Sequence, residues 1–389
     1  MKTFRTILIL LVLAAALGAV VFMLLPQGLD LHLTDRSAPD VPTLEACAVS
    51  HDHEFGAVYI NQSIEDFNAL GFAYGDSVDV TFSNGYTLQD LPYYNGYYTQ
   101  IGEPLLVAYP GYPYIKAAIN NGDCLWDVAK MNEGDTATIT LRERGKYLDL
   151  QTARDIHYED DRALFESDEV FANFRAVDVS GLQPNRLYRS ASPCDNQHNR
   201  APYADRLMGE AGVALILDLA DDSEKIEGYL EDPDFASPNF AALYDAGKVV
   251  PIALDMNFSS VVFREKLVSG LIPMSEQAGP YLVHCTEGKD RTGFVCMVLE
   301  ALCGATYQEI VNDYMITYAN YYGIRPVSDA MRYDTIVHTV LDPMIRSMIG
   351  DDAADLSTAD LAAAAEAFLK SGGMDDAQIT ALRDHLTAA

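Results

Sequence analysis

The chain has 389 residues, long for one domain and comfortable for two. A hydrophobic fraction of 49% supports a packed core and argues against a largely disordered protein. A formal net charge of −31 argues against a nucleic-acid partner, whose phosphates would meet like charge, yet leaves a phosphorylated substrate open, because a local cationic pocket outweighs a distant surface once salt screens it.

Lys2 and Arg5 precede Ile7–Leu25, an apolar run without a charged or polar side chain and long enough to span a bilayer as a helix. Asp30, Asp35 and Asp40 follow, so the charge bias keeps the N-terminus inside the cell and places the rest outside. Residues 1–26 therefore read as a signal anchor and single membrane span; the alternative is a cleaved signal peptide and a secreted protein. Residues 27–50 read as a polar tether.

Residues 51–148 are rich in glycine, tyrosine and β-formers. Two segments, "FNALGFAYGDSVDVTF" (67–82) and "LWDVAKMNEGDTATITL" (125–141), share one design: a short helical turn, Gly-Asp, then alternating β-formers. The repeat predicts a small β-barrel-like domain with internal pseudo-symmetry. Between the copies, "LPYYNGYYTQ" and "AYPGYPYIKA" carry seven tyrosines (93, 94, 97, 98, 109, 112 and 114), which suit twisted half-buried strands or, alternatively, a stacking surface. These segments resemble the C-terminal β-domain of the SAM hydroxide adenosyltransferases, which implies a fold here and no activity. Residues 149–169 carry eight acidic side chains and read as a solvated linker.

From about 170 to 389 the pattern is strand–helix alternation. "GVALILDLA" (212–220), "KVVPIALD" (248–255) and "YLVHC" (281–285) are apolar runs of buried parallel strands; 259–279 and 292–304 have helical length. The fold class is therefore α/β, a parallel sheet flanked by helices. In the tail, Ser357 with Asp360 suggests a capping box before a helix stopped by Gly372-Gly373. The six cysteines show no metal spacing, Cys296 and Cys303 read as core residues, and no metal or cofactor is expected.

The chemistry concentrates in "HCTEGKDRTG", 284–293, between a strand and a helix N-terminus. Backbone amides and the helix dipole make an anion site there. Gly288 and Gly293 let the backbone turn in close, so amides over Thr286, Glu287, Gly288 and Lys289 can face one oxyanion. Arg291 adds a planar fork matched to two phosphate oxygens. Cations and a helix N-terminus favour the thiolate, the nucleophilic form of Cys285. The Thr292 hydroxyl is placed to stabilise that thiolate as it leaves. Spacing excludes a Walker A loop and a zinc site from His284 and Cys285.

This loop resembles the signature of the cysteine-dependent dual-specificity phosphatases, in particular the bacterial tyrosine/lipid phosphatase family. "NFRAVDVSGLQPNRLYRSASP" (173–193) and "GATYQEIVNDYMITYANYYG" (304–323) extend the resemblance over most of 170–389. It implies a phosphomonoester hydrolase with Cys285 as nucleophile, Arg291 holding the phosphate and Asp290 as general acid. Asp221, Asp222 and Asp255 are reserve acids at neighbouring strand ends. Ala220 stands where the family usually has arginine. Expected substrates are a phosphotyrosine protein or, because Lys289 offers a second phosphate a partner, a phosphoinositide or inositol polyphosphate. A non-hydrolysing phosphate receptor is the alternative of another class. Arg175, Arg186 and Arg189 are expected to buttress the fold.

Overall fold

The computed structural model describes residues 41–388. The expected membrane anchor lies outside the described residues. Among these, no helix is long and apolar enough to cross a membrane.

Seven strands close a barrel: β1 (Thr43–His51), β2 (Val58–Ile60), β3 (Ser77–Phe82), β4 (Thr87–Tyr94), β5 (Pro104–Val107), β6 (Ile115–Ile119) and β7 (Thr136–Glu143), in the order β1-β2-β6-β5-β4-β3-β7. Closure removes exposed sheet edges. Strand β1 begins inside the stretch expected to be tether, so that expectation fails for 43–50: Leu44 and Val49 are apolar and buried in the barrel core.

The internal echo is real in three dimensions. Strands β3 and β7 pair antiparallel with Val80 opposite Ile139. Gly75 (φ 88°) and Gly134 (φ 94°) turn the chain into them in the left-handed region. Asp76 then accepts from the Ala73 amide at 2.9 Å and Asp135 from the Asn132 amide at 2.8 Å, the same three-residue closure in both copies. Most of the tyrosine cluster serves packing, with Tyr93 and Tyr94 buried. The exception is a ring of aromatics around Lys116, a fully buried lysine paired with Asp52 at 2.8 Å and 4.2 Å from the Tyr112 ring centroid.

The second sheet contains β8 (Arg175–Ala176), β9 (Leu187–Ser190), β10 (Leu215–Asp218), β11 (Val249–Pro251) and β12 (Tyr281–His284), ordered β11-β10-β12-β9-β8. All neighbours are parallel except β8 against β9. Alternation along β10 sends Leu215 and Leu217 to one face, packed with the helices Val261–Glu276 and Asp290–Leu302, and Ile216 to the other, packed with the helix Ala201–Glu210. The register aligns Ser190, His284, Asp218 and Pro251 in one row at the C-terminal ends. The candidate loop leaves the sheet directly beyond that row.

Two further expectations change. Residues 149–169 are not a solvated linker throughout. Helix Leu148–Arg154 buries Gln151 and Ala153, and Arg200 straps the following stretch down by bonding Asp160 at 2.8 Å and the Glu159 carbonyl at 2.8 Å. A charge run is solvated only where nothing cationic faces it, and here Arg200 does. In the tail Asp360, not Ser357, caps the helix Leu361–Ser371 by accepting from Ala363.

Candidate active site

Cys285 follows β12 directly and is buried at the loop floor. The loop Thr286–Lys289 leads into the helix Asp290–Leu302, with Lys289 at its N-cap. Gly288 adopts φ 67°, and a Cβ there would lie 2.1 Å from the Ser190 carbonyl oxygen, so only glycine fits. Gly293 is required for a different reason: a Cβ would meet the Tyr314 ring at 2.5 Å. Among the described residues, the amides of Thr286, Glu287 and Gly288 donate no hydrogen bond within the chain. Those donors, with the helix N-terminus, form an anion cradle.

Arg291 reaches back across the loop. Its Nη2 donates to Thr286 Oγ1 at 3.3 Å and its Nη1 to the Leu254 carbonyl at 3.2 Å. The guanidinium thus pairs with neutral oxygens and keeps its charge for an anion. Thr292 is fully buried, but its hydroxyl has no hydrogen-bond partner, so the expected contact with Cys285 is not made here.

The carboxylates sort by environment. Asp290 is partly exposed, with Lys289 Nζ at 3.8 Å. Asp221 is buried and held by Lys225 Nζ at 2.6 Å. Asp222 caps the helix Ser223–Leu230, and Asp255 accepts from the Asn257 amide at 2.9 Å. Of the four acids, Asp290 alone stands on the loop with its carboxylate not tied to a backbone amide or held in a close ion pair.

Lys289 is less free than expected. Its ammonium lies 3.0 Å from Glu287, 2.6 Å from the Tyr158 hydroxyl and 3.4 Å from that of Tyr322. Burial works against its charge, but Asp290 and Glu287 outweigh that and hold its pKa well above the usual lysine value. Tyr158 also donates to Glu287. The acidic stretch before the second sheet therefore reaches the loop.

Beneath the floor burial dominates the titratable groups. Burial depresses His284 to about 4, and both ring nitrogens are without hydrogen-bond partners among the described residues. Burial, reinforced by Asp221, raises Asp218 well above the carboxylate range. Cys194 Sγ lies 4.0 Å from Asp218 and 3.9 Å from Asp221, the one grouping with metal-like spacing among the described residues. Asp218 already accepts two amides and Asp221 a lysine, which accounts for both acids without an ion.

Residues 171–388, more than half of the chain, match the sequence pattern of the tyrosine phosphatase family. The chain belongs to the tyrosine phosphatase family. It is an enzyme, a cysteine-dependent phosphatase. No curated protein matches it. Among solved structures it is similar to the core catalytic domain of the PP-IP phosphatase SIW14 from S. cerevisiae, in complex with citrate. Identity there is 20%, covering 46% of this chain and 91% of that one, with a TM-score of 0.26.

The phosphatase holds its loop from behind through residues that sequence reading did not connect. Asp313, on the helix Tyr307–Tyr322, pairs with Arg189 at 2.6 Å and Arg175 at 3.0 Å. Arg189 Nη2 and Asn173 Nδ2 then donate to the Gly288 carbonyl at 3.1 and 3.2 Å. Arg175 and Arg189 are buttresses, as expected. Burial opposes the Asp313 charge, yet the two arginines hold its pKa below the carboxylate range. Arg154 and Tyr158 were also missed. Nothing in an acidic stretch singles out one cation and one tyrosine until the fold brings them to the loop.

Proposed function

We propose that this phosphatase hydrolyses phosphomonoesters through a phosphocysteine on Cys285. The observation that carries the reading is the cradle: unpaired loop amides and the Arg291 fork surround a buried thiol at a helix N-terminus. The thiolate attacks phosphorus, the S–P bond forms and the P–O bond breaks. Asp290 gives its proton to the leaving oxygen. Water then attacks the phosphocysteine, Asp290 takes a proton back, and phosphate and the thiolate are released. Arg291 and the amides of Thr286 to Lys289 stabilise the equatorial oxygens throughout.

Two substrate classes fit this chemistry, phosphotyrosine and a polyphosphorylated inositol. Lys289 beside the cradle favours the second, although a further phosphate must displace Glu287 to reach it. Cys285→Ser is expected to abolish release of p-nitrophenol from p-nitrophenyl phosphate while vanadate still binds. Full turnover in that variant would sink the mechanism.

A further inference from the structure

Asp290 faces a cleft of about 240 Å³ between the barrel and the second sheet. Tyr97 and Tyr98 of the barrel, Met256 and Phe258 from the loop after β11, and Arg154 form its other walls. The walls are tied together, since Gln100 Nε2 donates to the Thr339 carbonyl at 3.1 Å, and Thr339 belongs to the π-helical turn Val337–Leu341 that borders the same cleft. Such turns gather at functional sites. The space is smaller than the ~300–1,000 Å³ of common small-molecule clefts, a size that suits one anionic group of a larger substrate.

Arg154 is the unusual wall. Its guanidinium lies 5.6 Å from the Tyr98 ring centroid and takes part in no ion pair within the described residues. Apart from Arg291, which the cradle itself uses, the neighbouring cations are occupied: Lys289 by Glu287, Arg175 and Arg189 by Asp313, Arg200 by Asp160. A guanidinium kept charged, backed by an aromatic face and sharing a cleft with the loop's own aspartate suits a planar two-point contact to an anion.

We propose that Arg154 forms a second-anion subsite, which binds a further phosphate of a compact polyphosphorylated substrate while the scissile phosphate sits over Cys285. The proposal rests on the phosphate-site reading of the loop and narrows its substrate to the polyphosphate class. A monophosphate without a second anionic group leaves the subsite empty.

The test compares the full chain with Arg154→Gln and Arg154→Lys on two substrates, myo-inositol hexakisphosphate and p-nitrophenyl phosphate. Arg154→Gln is expected to lower kcat/KM for the hexakisphosphate about ten- to a hundredfold more than for p-nitrophenyl phosphate, the size of one charge-assisted hydrogen bond, mainly through KM. Arg154→Lys should recover part of that difference. Equal losses on both substrates, with a moved limb in the pH profile, would make Arg154 a support for Asp290 and overturn the subsite. So would wild-type turnover of p-nitrophenyl phosphate without any of the hexakisphosphate. No release from p-nitrophenyl phosphate by the wild type would instead fail the hydrolase reading, and the subsite with it.

Discussion

Removing Asp313 tests whether the loop is held from behind. The carboxylate is 4% exposed and binds two guanidiniums at 2.6 and 3.0 Å, of which Arg189 is 1% exposed. Truncation to alanine leaves both cations without their anion, a change that costs about 3–5 kcal/mol in a buried pair. That is a large share of the roughly 5–15 kcal/mol available to a domain. A neighbour limits the loss. Glu300 is buried, both of its oxygens lack hydrogen-bond partners, and burial followed by repulsion from Asp313 raises its pKa well above the usual carboxylate value. Without Asp313 that repulsion ends, and Glu300 can ionise opposite Arg189. Asp313→Ala should therefore fall near the lower end, about 3 kcal/mol, in urea unfolding followed by far-UV circular dichroism. Asp313→Ala/Glu300→Gln should lose more than the sum of the single variants, because the substitute anion is gone. A single-variant loss under about 1 kcal/mol, or strict additivity, would refute the reasoning.

Gly288→Ala forces a Cβ against the Ser190 carbonyl at a left-handed backbone position. It should lower kcat/KM on p-nitrophenyl phosphate at least about tenfold, equivalent to about 1.4 kcal/mol of lost transition-state stabilisation, while circular dichroism shows a folded protein; wild-type kinetics would contradict the assigned loop geometry. His284 has its folded pKa depressed from 6.5 to about 4, so the unfolded chain binds its proton first as pH falls. Its contribution is intact above pH 6.5 and is lost progressively down to pH 4, by up to about 3 kcal/mol. Buried Asp218, with a raised pKa, slopes the opposite way, so the observable is the wild-type stability profile minus that of His284→Gln. A flat difference across that window would remove the assignment.

The loop was legible in the sequence because it is contiguous. Cys285, Gly288, Asp290 and Arg291 lie within seven positions, and their spacing alone specifies an anion cradle at a helix start. The buried strands were legible for a similar reason, since apolar runs bounded by turns leave few alternatives. The barrel followed from a repeated Gly-Asp turn. What stayed hidden depends on partners far apart in the chain. Asp313 looks like any helix residue until the fold sets it against Arg189, 124 positions earlier. Lys116 reads as a surface charge until Asp52 and four aromatic rings enclose it. The acidic stretch misled because net charge predicts solvation only in the absence of an arginine such as Arg200.

The family match begins at Phe171, yet Tyr158 touches Glu287 and Lys289, and Arg154 shares a cleft with Asp290. The boundary of the family match and the boundary of the contacts that reach the loop are thus different lines. A fragment cut at the first would keep the nucleophile and its cradle but shed one wall of the entrance. The residues that reach the loop from ahead of the match, Arg154 and Tyr158, can be substituted without altering Cys285 or the Arg291 fork, so the wall of the entrance and the nucleophile are separable by mutation.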